Sequence, residues 1–406
     1  MKILQINKFY YPKGGSERHF FELVDVLEKK GHEVIVFSTE NKKNVKRRNK
    51  EYFISETKMS LGNFRRGLNL FYNREAMREL KKIISENRPD VAHLHNISHH
   101  FSPAIIKFLK KNNIPVVMTA HDYKLTCPNY KLFNSKGICN KCIGEKYYQC
   151  TLNKCIKNSY LASFTMTLEA YWMKWKKYFS YVDIFIAPSK FMKSKLIEGG
   201  YEPSKIKYIP NFLDGNSEAE NINGENFEKY ILFFGRLSRE KGIDVLLRAF
   251  PEIKDKNIKL KIAGDGEAKS DLIGMARKLN IFDRVNFLGH KSKREVKDLI
   301  GKSLFVVVPS VWYENAPYSI LESYEQEKAV VGSDLGGIKE MIIDGKTGLI
   351  FKGGDNKDLK EKIDYMLRNI EDVSRMEKKG KKLLKERFNS DRYYKRILRI
   401  YERIVK

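Results

Sequence analysis

YILFFGRLSREKGIDVLLRAF, residues 230–250, is an apolar run, a glycine, a basic loop and an amphipathic stretch, in that order. A short strand ending in glycine and feeding a helix reads as the opening of a βαβ unit. The chain has already begun once in the same way. KILQI (2–6) is a strand and NKFYYPKGGSE a loop, and a helix from about Ser16 to Lys30 puts Phe20, Leu23, Val24 and Leu27 on one face. Gly31 stands where a C′ glycine would stop that helix, and EVIVFST (33–39) is the next strand. Further strands are expected at DVAHLH (90–95), IPVVMTAH (114–121) and VDIFIAPS (182–189). After residue 230 come LKIAGDGE, RVNFLGH, SLFVVVPS, KAVVGSDLGG and TGLIFKGG, most of them ending in Gly or Ser with helical stretches between. Strands alternating with helices give a parallel sheet covered on both faces.

The fold class is therefore α/β, with two doubly wound parallel sheets. The 406 residues suit two domains of about 200 each. Residues 1–211 are expected to form the first and 212–385 the second, with the polar, Asn- and Gly-rich YIPNFLDGNSEAENINGEN as linker. Residues 386–406 should form an amphipathic helix that docks on the first domain through Tyr394, Ile397, Leu398, Tyr401 and Val405. Open parallel sheets offer the carboxyl ends of their strands, and the loops beyond, to a ligand. Two such edges facing each other would enclose a cleft.

Composition is globular, with 42% hydrophobic residues, and 77 Lys+Arg against 50 Asp+Glu leave a net charge of +27. That excess favours an anionic partner: nucleic acid, acidic phospholipid or a phosphorylated substrate. No helix-turn-helix, zinc-finger or RNP-like pattern is legible, so nucleic acid is not expected. The first turn lacks G-x-G-x-x-G, which argues against a dinucleotide oxidoreductase. No 18-residue apolar run exists and MKILQINKFYY is not a signal sequence, so a cytoplasmic protein is expected.

The motifs PKGGSE, HDY at Tyr123, APSKFMKSKL, IPNFLD, FFGRLSREKGIDVLL, IAGDGE, VNFLGH, PSVWYENAPYSILES and GSDLGGIKEMIIDGKTGLIF are individually weak. In this order, each at a strand end, the chain resembles the retaining GT-B glycosyltransferases of family 4 over nearly its whole length. The resemblance implies two Rossmann-like domains facing across a cleft. It also implies transfer of a hexose-type sugar from a UDP- or GDP-sugar to a polysaccharide or lipid-linked acceptor. A sugar-nucleotide epimerase or a phosphorylase on the same fold is the alternative; neither should show Gly-Arg-x4-Lys-Gly together with E-x7-E.

A diphosphate leaving group needs fixed cationic donors as its charge grows. By resemblance, Arg236 and Lys241, five residues apart, clamp the donor's phosphates, the first bidentately and the second as a compact charge. WYENAPYSILE (312–322) carries Glu314 and Glu322 with seven residues between. Pro317 suits the first helical position, so Glu314 precedes the helix and Glu322 lies within it, about 7–9 Å further along the axis. The family pattern assigns Glu314 to the hexose and Glu322 to the ribose hydroxyls. Asn315, Ala316 and Pro317 stand where many relatives have Gly-Phe-Gly, and Lys339 where proline is more usual, which leaves the donor sugar open. Gly336 and Gly337 are expected close to the ligand. His121 takes a donor-positioning, catalytic place at the end of its strand, and Gly14 and Gly15 lie on the same edge. His95, Ser189, Asn211 and Asp265 are weaker candidates. The resemblance implies front-face displacement with retention, the departing phosphate oxygen taking the acceptor's proton. No Asp-x-Asp occurs, so no metal ion is expected in catalysis.

All five cysteines fall between 127 and 155. Cys139-x2-Cys142 has zinc-knuckle spacing, and Cys127 and Cys155 complete a preferred structural zinc set in which Cys150 can replace either outer ligand. The alternative is a set of reduced thiols packing the insertion. Positive charge is dense in residues 41–50 and 62–82, and LEAYWMKWKKYFSY sets aromatic rings among lysines. Such interleaving suits an anionic membrane surface beneath the first domain.

Overall fold

The computed structural model describes residues 1–47, 50–56, 71–213 and 229–405. Most of the expected linker and part of the basic 62–82 stretch lie outside these residues. The chain divides into two compact units, Met1–Asn211 with Ser390–Lys406, and Phe212–Asn389.

In the first unit the strands are β1 (Lys2–Ile6), β2 (Glu33–Thr39), β3 (Lys50–Ile54), β4 (Val91–Leu94) and β5 (Val116–Thr119). After a two-stranded hairpin of β6 (Phe133–Asn134) and β7 (Gly137–Ile138) come β8 (Ile184–Ala187) and β9 (Ile206–Tyr208). The sheet order is β3-β2-β1-β4-β5-β8-β9, every pairing parallel. In the second unit β10 (Tyr230–Phe234), β11 (Lys259–Ala263), β12 (Val285–Gly289), β13 (Val306–Val308), β14 (Val330–Ser333) and β15 (Gly348–Phe351) order as β12-β11-β10-β13-β14-β15, again all parallel. In both sheets the winding reverses beside the first strand, between β1 and β4 and between β10 and β13. A ligand site is expected at such a reversal.

The apolar runs become strands because helices cover both faces. Ile3, Leu4 and Ile6 of β1, and Ile231 and Leu232 of β10, are fully buried. Each such side chain contributes about 1.5–3 kcal/mol over its exposed state. Serine or asparagine caps fix several helix starts. Asn73 accepts from Ala76 N, Ser159 from Ala162 N, and Ser292 forms a capping box with Glu295.

The last segment differs in phase from its expected stripe. Helix Ser390–Val405 buries Tyr393, Ile397 and Tyr401, whereas Val405 is exposed and Tyr394 half-buried. The reason is polar. The Tyr393 hydroxyl lies 3.0 Å from His19 Nε2 and the Tyr401 hydroxyl 2.6 Å from His93 Nδ1, so this rotation gives both buried hydroxyls a partner. The preceding helix runs Ile370–Arg387, and the division between units falls at Asn389 and Ser390.

Candidate active site

In the second unit, β10 ends at Phe234, Gly235 follows at φ 142°, and Arg236 is next. Arg239–Lys241 form one 3₁₀ turn, and Gly242 enters the Ile243–Ala249 helix at φ 67°. This glycine is required twice over. L side chains disfavour that φ, and a Cβ here would lie 2.0 Å from the Pro309 carbonyl oxygen, in the loop after β13. Val311 N also donates to Glu240 O at 3.0 Å. Loops from the two strands flanking the winding reversal are thus fastened together.

Across that junction Lys241 Nζ meets Glu314 Oε1 at 2.6 Å, and Ser310 Oγ donates to the same oxygen at 2.7 Å. The Glu314 side chain is 7% exposed and that of Lys241 23%. Burial alone would raise the Glu314 carboxyl. The Lys241 charge, with hydrogen bonds from Lys241 and Ser310, outweighs it and holds the group below its ordinary value. Arg236 is engaged too, its Nη2 lying 2.7 Å from Oε1 of the buried Glu240. Each expected phosphate ligand therefore carries a carboxylate of its own, which spacing along the chain did not disclose. Lysine has three donors, so one bond to Glu314 leaves capacity for a phosphate.

Glu314 is held from behind by the paired glycines. Gly337 N donates to Glu314 O at 2.7 Å, and a Cβ on Gly336, at φ 63°, would stand 2.3 Å from that same oxygen. The close backbone approach expected of Gly336 and Gly337 is made here to the Glu314 loop. Pro317 is not the first helical residue but the N-cap, at ψ 124°, and the helix spans Tyr318–Glu325. Proline fixes φ alone, so its ring is equally compatible with the extended ψ of a cap. Asn315 and Ala316 are half-buried between Glu314 and this helix, and half-buried Glu322 lies within it. Asp265, after β11, is largely exposed and paired with Lys269 at 3.2 Å.

In the first unit, Gly14 caps the Gly15–Lys29 helix in an extended conformation beyond β1. His95 follows β4, and His121 lies just beyond β5. Their rings stack 5.2 Å apart, with His95 Nδ1 2.9 Å from His121 Nε2 and His95 Nε2 2.8 Å from Gln5 Oε1. With Gln5 Oε1 as acceptor, His95 carries its proton on Nε2, and His121 donates from Nε2 to His95 Nδ1. His93 stacks on the other side of His95, 4.5 Å between centroids, and donates to or accepts from Thr119 at 2.8 Å. His121 is held neutral by burial, then by the neighbouring His19, His93 and Lys8, which lower its basicity well below the ordinary histidine value. Ser189 serves the fold, its side chain accepting from Met192 N as the cap of the Lys190–Glu198 helix. Asn211 is buried where the first unit ends.

The partners of the candidate residues that sequence reasoning missed are Ser310, Glu240, Gln5, His19 and His93. Ser310 ends PS after an apolar strand, a position that could have been read as ligand-edge. The others sit at ordinary core or loop positions and carry no such signal.

The cysteine insertion holds four of its five thiols in pairs, Cys127 with Cys142 and Cys150 with Cys155. Asn134 Nδ2 approaches Cys155 Sγ at 3.9 Å. Among the described residues no group of three or more His, Cys, Asp or Glu is arranged to hold a metal ion.

Two family descriptions match the chain: Glycosyltransferase Family 4 over residues 13–216 and Glycosyl transferases group 1 over residues 216–383. A chain built this way, with basic loops at the reversal of its second sheet, is a glycosyltransferase of GT-B fold. It belongs to glycosyltransferase family 4. An uncharacterized 42.6 kDa protein in the cps region of Klebsiella pneumoniae is 27% identical over 84% of this chain and 87% of its own. The alpha-D-kanosaminyltransferase of Streptomyces kanamyceticus is 28% identical over 41% of this chain and 44% of its own. Among solved structures, a glycosyltransferase from Rickettsia africae ESF-5 superposes with a TM-score of 0.71 at 18% identity, covering 100% of this chain and 98% of that one. Anabaena Alr3699/HepE in complex with UDP superposes at 0.70 and 16% identity, covering 99% and 100%.

Proposed function

We propose that the enzyme transfers a hexose-type sugar, with retention, from a UDP- or GDP-sugar to a polysaccharide or lipid-linked acceptor at an anionic membrane surface, without a metal ion in catalysis. The observation that carries this reading is the Lys241–Glu314 pair at the reversal of the second sheet, with Arg236 on the adjoining loop. Lys241 gives one bond to Glu314 and its others to the donor's phosphates, and Arg236 takes up the same diphosphate. Glu314 addresses the hexose, Glu322 the ribose, and Asn315 with Ala316 supplies backbone amides that Pro317 lacks. As the glycosidic bond breaks, the phosphate oxygen that gains charge also removes the acceptor's proton, and the two cations stabilise it. On the first unit, His121 positions the donor as a neutral imidazole. The complexes of Anabaena Alr3699/HepE with UDP and with UDP-glucose support the donor class, and the cps-region relative supports a polysaccharide setting.

A calorimetric screen of UDP- and GDP-sugars, followed by hydrolysis assays with EDTA present, tests the reading. One nucleotide class is expected to bind, with turnover unaffected by the chelator. Absence of binding by every nucleotide sugar, or oligonucleotides stabilising the protein instead, would remove it.

The cysteines carry a separate proposal, a structural zinc clip of Cys127, Cys139, Cys142 and Cys155, in which Cys150 can replace Cys127 or Cys155. They supply the right number and type of donors. Purified protein is expected to hold about one equivalent of zinc. A zinc content below roughly a tenth of that, in chelator-free preparations, would leave only thiols packing the loop.

A further inference from the structure

The Tyr160–Trp175 helix is amphipathic in reverse. Its inward face buries Ser163, Thr167 and Glu169 beside Met166 and Met173. Its outward face carries Leu161, Phe164, Leu168, Tyr171 and Trp175, with Leu161 64% and Trp175 67% exposed. Steps of three, four, three and four residues put these five on one stripe, about 21 Å long at 1.5 Å per residue. Leu152 and Tyr148 extend the apolar surface from the preceding Tyr148–Leu152 helix, which is tied on through Thr151 Oγ1 to Thr167 Oγ1 at 2.9 Å.

The orientation is locked. Glu169 pairs with Lys124 at 2.6 Å, their side chains 1% and 8% exposed, and turning the helix over would strip a buried carboxylate of its cation. Ser163 Oγ also accepts from Ile156 N at 3.0 Å. An ordinary solvated helix would present its polar side chains outward.

Cations stand at both ends of the stripe. Lys154 Nζ lies 4.3 Å from the Tyr160 ring centroid, and Lys176 Nζ 4.0 Å from that of Trp175. Lys174 and Lys177 are exposed at the same end, the former 2.5 Å from Glu145. One apolar and aromatic row with lysines at both ends suits a helix lying flat at a lipid–water boundary. We propose that this face lies in the plane of an anionic bilayer, its apolar row among the acyl chains and its lysines against lipid phosphates. The inference deepens the acceptor half of the function proposed above by naming the surface that meets the membrane.

Flotation with vesicles of phosphatidylcholine containing about 30 mol% phosphatidylglycerol provides the test. Wild type is expected to float with these and to stay at the bottom with pure phosphatidylcholine at physiological salt. Leu161→Gln/Leu168→Gln/Trp175→Gln should cut the partition coefficient by roughly a hundredfold, and Lys174→Gln/Lys176→Gln/Lys177→Gln by about tenfold or more. All six positions are outward or half-buried, and equal thermal midpoints would verify folding. Nucleotide-sugar affinity, measured on the same samples without lipid, should be unchanged. Lost flotation with retained donor binding supports the proposal; absent donor binding in wild type would strike the glycosyl-donor reading and leave this one standing. Flotation equal in wild type and the apolar variant would overturn it. So would a wild-type dimer in sedimentation velocity that the apolar variant abolishes, since the face would then belong to a second copy.

Discussion

Lys241→Ala is expected to lower kcat by about 10²–10³, with a smaller rise in KM for the donor. The ammonium would act where charge develops on the leaving phosphate, and loss of one such donor typically costs that much. Two effects coincide at this residue. In the proposed role the diphosphate would lose a cation, and Glu314, almost wholly buried, loses the partner whose charge holds its carboxyl below the ordinary value. Burial then acts unopposed by Lys241 and pushes that carboxyl upward, so activity of the variant should weaken further as pH falls. Glu314→Gln should be less harmful in the Lys241→Ala background than in wild type, because the buried charge is already uncompensated there. A Lys241→Ala enzyme retaining more than about a tenth of wild-type kcat/KM would show that the transition state does not rely on this group.

Acid should unfold the first unit well before ordinary carboxylate titration. Seven of the eight histidines lie in it, at 19, 32, 93, 95, 99, 100 and 121. Burial pushes His19 and His93 down to about 3, and His95 and His121 well below the usual range. In the unfolded chain each would titrate near 6.5. Above that pH both states are neutral and the full stability is present. As pH falls below it the unfolded chain takes up protons that the folded chain refuses, so stability drops. Between pH 7.5 and 5.5 each such histidine costs about 1.4 kcal/mol, so His19 and His93 alone account for roughly 3 kcal/mol. Circular dichroism melts at the two pH values should show a midpoint lowered by several degrees at pH 5.5. Equal midpoints would mean that the histidine layer is protonated, or hydrated, in the native protein. His93→Gln should flatten the dependence in part.

Eleven of the thirteen described strands in the two parallel sheets, and the loops that carry Arg236, Lys241 and Glu314, were legible because they depend on local pattern; the edge strands β3 and β9 were not, being short and only partly buried. An apolar run of four to six residues that ends in glycine or serine can hardly be anything else once helices alternate with it. The partners of these groups were not legible. Lys241 and Glu314 are 73 residues apart, and only the packing of two loops across the sheet reversal joins them. His19 and His93 read as ordinary core positions of a helix and a strand, since hydrophobic periodicity does not register which buried rings touch. The same limit applies to Tyr160–Trp175. Apolar and polar residues alternate there with a helical period, but the period does not say which face meets the core. The direction was set by Glu169 and Lys124, 45 residues apart in sequence.

Because Ser390–Val405 belongs to the first unit, the second is inserted between two parts of the first. During synthesis, residues 212–389 are complete and able to fold while the histidine layer still lacks Tyr393 and Tyr401. The amino-terminal unit, although translated first, is finished last, and a nascent chain stalled shortly before residue 390 would expose an unsealed surface for chaperones and proteases to find.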